Sequence, residues 1–160
     1  MKKAKFNLEF DFSMMENSAL DVEQDFNNLL DIILTRLNRK GTYVLSCELV
    51  DDETIQKLNK EFRDIDKPTD VLSFQYTSKE DFDLDLGFYD LGEIYIDTRI
   101  CALQAPEFNL TVEEEAIYLF IHGVLHLFGY DHVHNDEEKE VMFSLQNDIF
   151  SKYMQSKKGA

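Results

Sequence analysis

Cysteine is scarce in this 160-residue chain, which carries only Cys47 and Cys101. A small fold stapled by a framework of disulfides is therefore excluded, and Cys47, set in a strand-like run, reads as a small buried hydrophobe. Two prolines and six glycines leave little room for long flexible linkers, and no internal repeat or low-complexity run is present. The length suits one domain with a proper hydrophobic core, spanning residues 1–160. No apolar stretch is long enough to cross a bilayer. The opening MKKAKFNLEFDF begins with lysines but alternates after them, so it is expected to be a strand and not a signal peptide. These absences together imply a cytoplasmic protein without a membrane partner.

Positive charge is also short. Sixteen Lys and Arg stand against 32 Asp and Glu, a net charge of −16. That balance argues against a general nucleic-acid binder, because phosphate neutralisation by basic surface drives much of such affinity. An acidic chain can still act on a polyanion where a local basic patch faces the substrate or a partner supplies the docking.

Periodicity supplies the elements. Phe6, Leu8, Phe10 and Phe12 alternate with polar residues and describe a half-buried strand. Val22, Phe26, Leu29, Ile33 and Leu37 recur at helical spacing, with Arg39 and Lys40 suiting the helix dipole and Gly41 as the stop. Tyr43 to Val50 reads as a strand, and Asp51 to Phe62 as a helix with Ile55, Leu58 and Phe62 on one face. Lys67-Pro68-Thr69-Asp70 breaks the pattern before a strand from Val71 to Tyr76. Thr77 to Asp90, with five carboxylates and one lysine, is expected to be a solvated loop. A strand from Leu91 to Asp97 and a short helix around Arg99 to Gln104 follow. Thr111 and Glu114 form a capping-box pattern opening a helix that is apolar on nearly every side and hence buried. The last helix, about Asp136 to Met154, is expected to turn Val141, Leu145, Ile149 and Tyr153 inward. The fold class is α/β (α+β): one domain, with a mixed, roughly four-stranded sheet covered by helices.

Histidine is absent from the chain except between positions 122 and 134. His122 and His126, four apart on a helix, share one face and can share a metal ion. Gly129 follows where a residue without a β-carbon can turn the chain back, bringing His132 toward the other two. Packed or solvated histidines account well for one such residue, but poorly for three with the glycine in place. Three nitrogen donors with a fourth position open to water is the arrangement of a catalytic zinc site. His134 is a rival third ligand; Asp131 is another, or else a partner that orients an imidazole. Zinc endopeptidases share this spacing but place a general-base glutamate after the first histidine. Here that position is Gly123, which cannot accept a proton.

From about Leu58 onward the sequence resembles the YbeY family of bacterial endoribonucleases. The likeness rests on Leu58-Asn59 with Arg63, on Lys67-Pro68-Thr69-Asp70-Val71-Leu72-Ser73-Phe74, on Leu91-Gly92-Glu93-Ile94, and above all on His122-Gly123-Val124-Leu125-His126-Leu127-Phe128-Gly129-Tyr130-Asp131-His132. The glycine after the first histidine belongs to the family pattern, whereas Glu93 stands where aspartate is commoner. The N-terminal third adds little to the likeness. The resemblance implies metal-dependent cleavage of single-stranded RNA, in maturation of the small-subunit ribosomal RNA 3′ end and in ribosome quality control, with small-subunit ribosomal proteins as partners. It makes His122, His126 and His132 the metal ligands, for Zn2+ or another divalent transition metal such as nickel, copper or cobalt. It makes Arg63 the catalytic residue that holds the scissile phosphate; on spacing alone Arg63 is a surface arginine ending a helix. Thr69, Asp70 and Ser73 are polar enough to line the site, but otherwise read as a turn and a strand start. Two other readings stay open: a zinc hydrolase of peptides, and a ribosome-assembly factor whose metal mainly holds the fold.

Overall fold

A computed structural model describes residues 6–15, 19–131 and 135–158. Its elements are β1 (Phe6–Met14), α1 (Glu23–Arg36), β2 (Gly41–Val50), α2 (Asp52–Arg63), β3 (Val71–Gln75), α3 (Lys79–Phe82), β4 (Phe88–Asp97), α4 (Thr98–Gln104), a 3-10 turn (Ala105–Phe108), α5 (Val112–Leu127) and α6 (Asp136–Lys158). The sheet runs β1-β2-β4-β3, with β1, β2 and β4 parallel and β3 antiparallel at the edge. This is the single α+β domain with a mixed four-stranded sheet that the alternating elements imply. No helix among the described residues is long and apolar enough to cross a membrane.

Alternation along each strand divides the interior in two. Ile94 and Ile96 of β4 join Leu45, Cys47 and Leu49 of β2 in the main core. Tyr95 and Phe74 turn to the other face, where α2 covers them with Ile55 and Leu58. At the centre of the main core Phe120 of α5 stacks on Phe26 of α1, ring centroids 4.0 Å apart. The capping box at the start of α5 forms as expected: Glu114 N donates to Thr111 Oγ1 at 3.1 Å, and Thr111 N donates to Glu114 Oε1 at 2.8 Å. Both cysteines are free and buried.

Four local expectations are corrected. Helix α1 ends at Arg36, and Asn38 (φ 54°) makes the left-handed turn, while Gly41 opens β2. The acidic stretch is not wholly loop. Ser78 caps the short α3, and β4 begins at Phe88 because a bulge lets Leu91 bury without a partner opposite. Glycine is required at the bulge: Gly92 has φ 127°, and a β-carbon there would lie 1.9 Å from the Phe74 carbonyl oxygen. In α2 Phe62 is exposed, although its ring meets Phe74 edge-on at 5.2 Å. In α6 the buried stripe is Met142, Gln146, Ile149 and Tyr153; Val141 is exposed and Leu145 only half-buried.

Candidate metal centre

Helix α5 lies between the sheet and α6, so most of its residues are buried. His122 and His126 are half-buried on its one open stripe. They face a cleft of about 480 Å³ whose opposite wall is the edge strand β3 and whose rim carries Arg63, Thr69, Asp70 and Asp131. The odd-numbered residues of β3, Val71, Ser73 and Gln75, line that wall. The loop of Thr69 and Asp70 is fixed locally: Asp70 Oδ1 accepts from Val71 N at 2.7 Å and from Thr69 Oγ1 at 3.3 Å.

The two imidazoles are held edge to edge. His126 Nε2 lies 3.1 Å from His122 Nε2, with the ring planes 76° apart. His122 Nδ1 lies 2.9 Å from Gln146 Oε1, and Gln146 Nε2 donates to the Tyr118 carbonyl at 3.4 Å. The amide is thus oriented by a backbone acceptor, so its oxygen faces His122 and Nδ1 is the protonated nitrogen. That leaves the His122 Nε2 lone pair aimed at His126. Two nitrogens bound 2.0–2.1 Å from one tetrahedral ion lie roughly 3.3 Å apart, close to the separation found here. The donor set, its spacing and the orienting amide fit a divalent transition metal.

At the end of α5, Gly129 N donates to His126 O at 2.9 Å and Tyr130 N donates to Leu125 O at 3.0 Å. Gly129 takes φ 95°, the left-handed turn expected of it. The reversal carries Asp131 onto the cleft wall beside His122 and His126. His132 and His134 lie outside the described residues, and so does the choice between them as third ligand. Among the described residues no group of three metal-binding side chains forms.

Arg63, the last residue of α2, reaches the same cleft. Its Nη2 donates to Ser73 O at 2.8 Å and its guanidinium carbon lies 5.6 Å from the Phe74 ring centroid. It makes no ion pair with a carboxylate among the described residues. Gly123 faces the sheet: a β-carbon there would sit 3.0 Å from Ile94 Cγ2.

One feature of the site, Gln146, and one buried carboxyl outside the cleft lining, Glu115, carry no signal in the sequence. Gln146 is a polar residue on the buried stripe of α6, and apolar periodicity does not mark it. Glu115 is one of three acidic residues in the first turn of α5. It is only 2% exposed, and burial, helped by the charges of Asp70 and Glu107, pushes its carboxyl up to about 7. A carboxyl with a raised folded pKa binds a proton more tightly folded than unfolded, so stability falls as pH rises from the ordinary glutamate value toward 7. Glu115→Gln is expected to be more stable than the parent at pH 8 by about 1–2 kcal/mol, with the difference vanishing near pH 4. Urea denaturation across that range checks it, and equal stabilities at pH 8 would count against the assignment.

The sequence model of the family described as Endoribonuclease YbeY matches residues 9–154, so the likeness extends well into the N-terminal third. The Endoribonuclease YbeY of Fusobacterium nucleatum is 38% identical over 154 residues, covering 96% of this chain and 90% of that protein. The Endoribonuclease YbeY of a Sulfurihydrogenibium species is 42% identical over 125 residues, 78% of this chain and 79% of the relative. The solution structure of TM1509 from Thermotoga maritima superposes with a TM-score of 0.65 at 28% identity, covering 94% of this chain and 93% of that one. A match over nearly the whole length, with the paired histidines and the Gly129 turn in place, makes this chain a member of the YbeY endoribonuclease family.

Proposed function

We propose that this protein is a metal-dependent endoribonuclease that cleaves single-stranded RNA, with one zinc ion held by His122, His126 and His132. The observation that carries this reading is the convergence of two imidazole Nε2 atoms, 3.1 Å apart, beside an arginine with no carboxylate partner among the described residues. When bound, the ion supplies Lewis acidity, polarising a phosphoryl oxygen and making water acidic enough to deprotonate near neutral pH. The chain's own residues do the rest. Gln146 holds the His122 tautomer and ring orientation. Arg63 spends one N–H on the Ser73 carbonyl, which fixes the guanidinium plane and leaves its remaining donors for phosphate oxygens. By family likeness the RNA is ribosomal, the setting is cytoplasmic, and the work is 3′ end maturation of the small-subunit RNA and ribosome quality control alongside small-subunit proteins.

Two observations favour RNA over a peptide. Gly123 offers no proton acceptor and its position faces Ile94 rather than the cleft. The edge of β3 is also poorly suited to receive a peptide strand. Tyr76 N donates to Leu91 O and Asp97 N to Asp70 O, so the backbone groups of Val71, Ser73 and Gln75 turn to the open side. There the Ser73 carbonyl is taken by Arg63 and the Val71 N–H by Asp70. A peptide adding to the sheet would need those groups.

The test is to strip and restore the metal. Purified protein is expected to contain about one equivalent of zinc, to lose cleavage of an unstructured oligoribonucleotide on chelation, and to recover it on adding zinc. An unstructured peptide should survive under all three conditions. Peptide cleavage without RNA cleavage would replace this reading with a hydrolase of peptides. Full RNA cleavage after complete removal of metal would leave the ion with a structural role only.

A further inference from the structure

An acidic chain that acts on a polyanion needs its positive charge gathered at the point of contact. Six cations among the described residues are spent on carboxylates, including Arg36 on Asp148, Arg99 on Asp52, Lys60 on Asp66, and Lys157 on Asp25. Arg39 and Lys79 make no ion pair among the described residues. Arg39 is instead held by rings. Its Nε donates to the Tyr43 hydroxyl at 2.9 Å, and its guanidinium carbon lies 4.8 Å from the Phe82 centroid, 5.5 Å from Tyr89 and 5.7 Å from Phe128. Hydrogen bonding and ring contacts fix its position without cancelling its charge.

Arg39 and Lys79 meet over a pocket of about 370 Å³, walled by Phe82, Phe128, Gly129 and Tyr130. That volume suits one small ligand group. The pocket also lies near the metal cleft. A smaller hollow of about 250 Å³ shares Lys79, Gly129 and Tyr130 with it, and shares Asp131 with the cleft. Gly129 borders both sides, since a β-carbon there would lie 3.8 Å from Nε2 of the cleft residue Gln75. The hollow with its aromatic faces and two cations therefore lies on one side of the Gly129–Asp131 turn and the paired histidines on the other, with Glu137 and Glu138 lining the smaller hollow between them.

We propose that this hollow is a nucleotide subsite, taking one base and its phosphate from the RNA strand a short distance from the point of cleavage. The proposal rests on the reading of the cleft as an RNA-cleaving site and names how that site gains its grip. The base lies against Phe82 and Tyr130, and the phosphate is drawn to Arg39 and Lys79. Asp83 also lines the hollow, which directs the phosphate toward the Arg39 side and away from α3's following loop. Cations interleaved with rings are the usual means of binding a single strand, because every base has a face to stack. A base can enter only if it is unstacked from its neighbours, so the subsite also selects single strands over duplex.

The test compares zinc-loaded protein on fluorescent oligouridylates of two lengths, one of about three nucleotides and one of about eight, the longer spanning a single-strand site of ordinary size. In the parent, kcat/KM is expected to rise about tenfold with length, the value of one stacked base with its phosphate. In Lys79→Glu and Phe82→Ala that gain should be lost, chiefly through KM. A 5-bromouridine oligonucleotide should photocrosslink to Phe82 or Tyr130. Phe82→Ala also removes a ring that packs on Tyr89 and Phe128, so Lys79→Glu, at an exposed position, is the deciding variant. If the parent cleaves both lengths and Lys79→Glu keeps the whole gain, or if crosslinks fall only outside the hollow, the subsite is overturned while the metal cleft stands. If zinc-loaded parent cleaves neither length, the reading of the cleft fails and the subsite fails with it.

Discussion

His126→Ala is expected to lose its zinc and its RNA cleavage together, whereas Arg63→Ala should keep the zinc and lose cleavage by roughly 10²–10³-fold. The difference follows from what each side chain faces. His126 Nε2 lies 3.1 Å from His122 Nε2, and without it only two of the three proposed ligands, His122 and His132, remain, too few to hold a divalent ion tightly. Arg63 sits on the rim of the cleft, tied to Ser73 O, where its proposed role is to hold a phosphate and not the metal. Metal content, cleavage of an unstructured RNA and a thermal melt, measured on parent and both variants, separate the two roles. Normal cleavage by Arg63→Ala would remove it from the catalytic machinery and leave it as the residue that closes α2 and caps the β3 edge. Normal cleavage by a metal-free His126→Ala would point to a contaminating nuclease rather than to this protein.

His122 and His126 were legible because helical period alone puts residues four apart on one face. Gly129 was legible for a similar reason: the end of an apolar run followed by glycine has few other conformations available. Gln146 was not legible. Its role depends on α6 packing across α5 at a specific rotation, and apolar periodicity places Ile149 and Tyr153 correctly but the first turns one residue off, on Val141 and Leu145 instead of Met142 and Gln146. A buried polar residue can be recognised only once its partners, here His122 and the Tyr118 carbonyl, have been brought to it. The acidic stretch failed differently. Five carboxylates dominate its composition, but its structure follows from Ser78, which caps α3, and from Phe82 and Tyr89, whose rings stack at 5.7 Å. Arg39 shows the same limit. At the end of an apolar run it reads as a helix-dipole residue, yet it is the aromatic surroundings, assembled from four separate elements or turns, that define what it does. Strand register and helix period are local properties; cages and orienting partners are not.

Placing glutamate at position 123 restores the peptidase-like motif in the sequence but is expected to damage this protein rather than convert it. The β-carbon of any residue there meets three atoms of the Ile94 side chain, at 3.0, 3.2 and 3.3 Å. For Gly123→Ala the crowding opposes the gain in helix propensity, about 1 kcal/mol, so the net change should be small and of either sign. For Gly123→Glu the whole side chain must pass into the layer between α5 and β4, where Ile94 is fully buried and offers no donor. An uncompensated buried carboxylate together with overpacking is expected to cost about 5 kcal/mol, a large fraction of the stability of a domain and enough to unfold a marginal one. Urea denaturation of the parent and of both variants measures the series, and hydrolysis of an unstructured peptide measures the chemistry. A Gly123→Glu variant that melts with the parent and cleaves peptide would mean that position 123 can reach the cleft after all. The expected outcome, a near-neutral alanine and a ruinous glutamate with no peptide cleavage, makes this glycine a packing requirement of the α5–β4 contact, and makes the missing base a consequence of how closely the helix that carries His122 and His126 lies on its sheet.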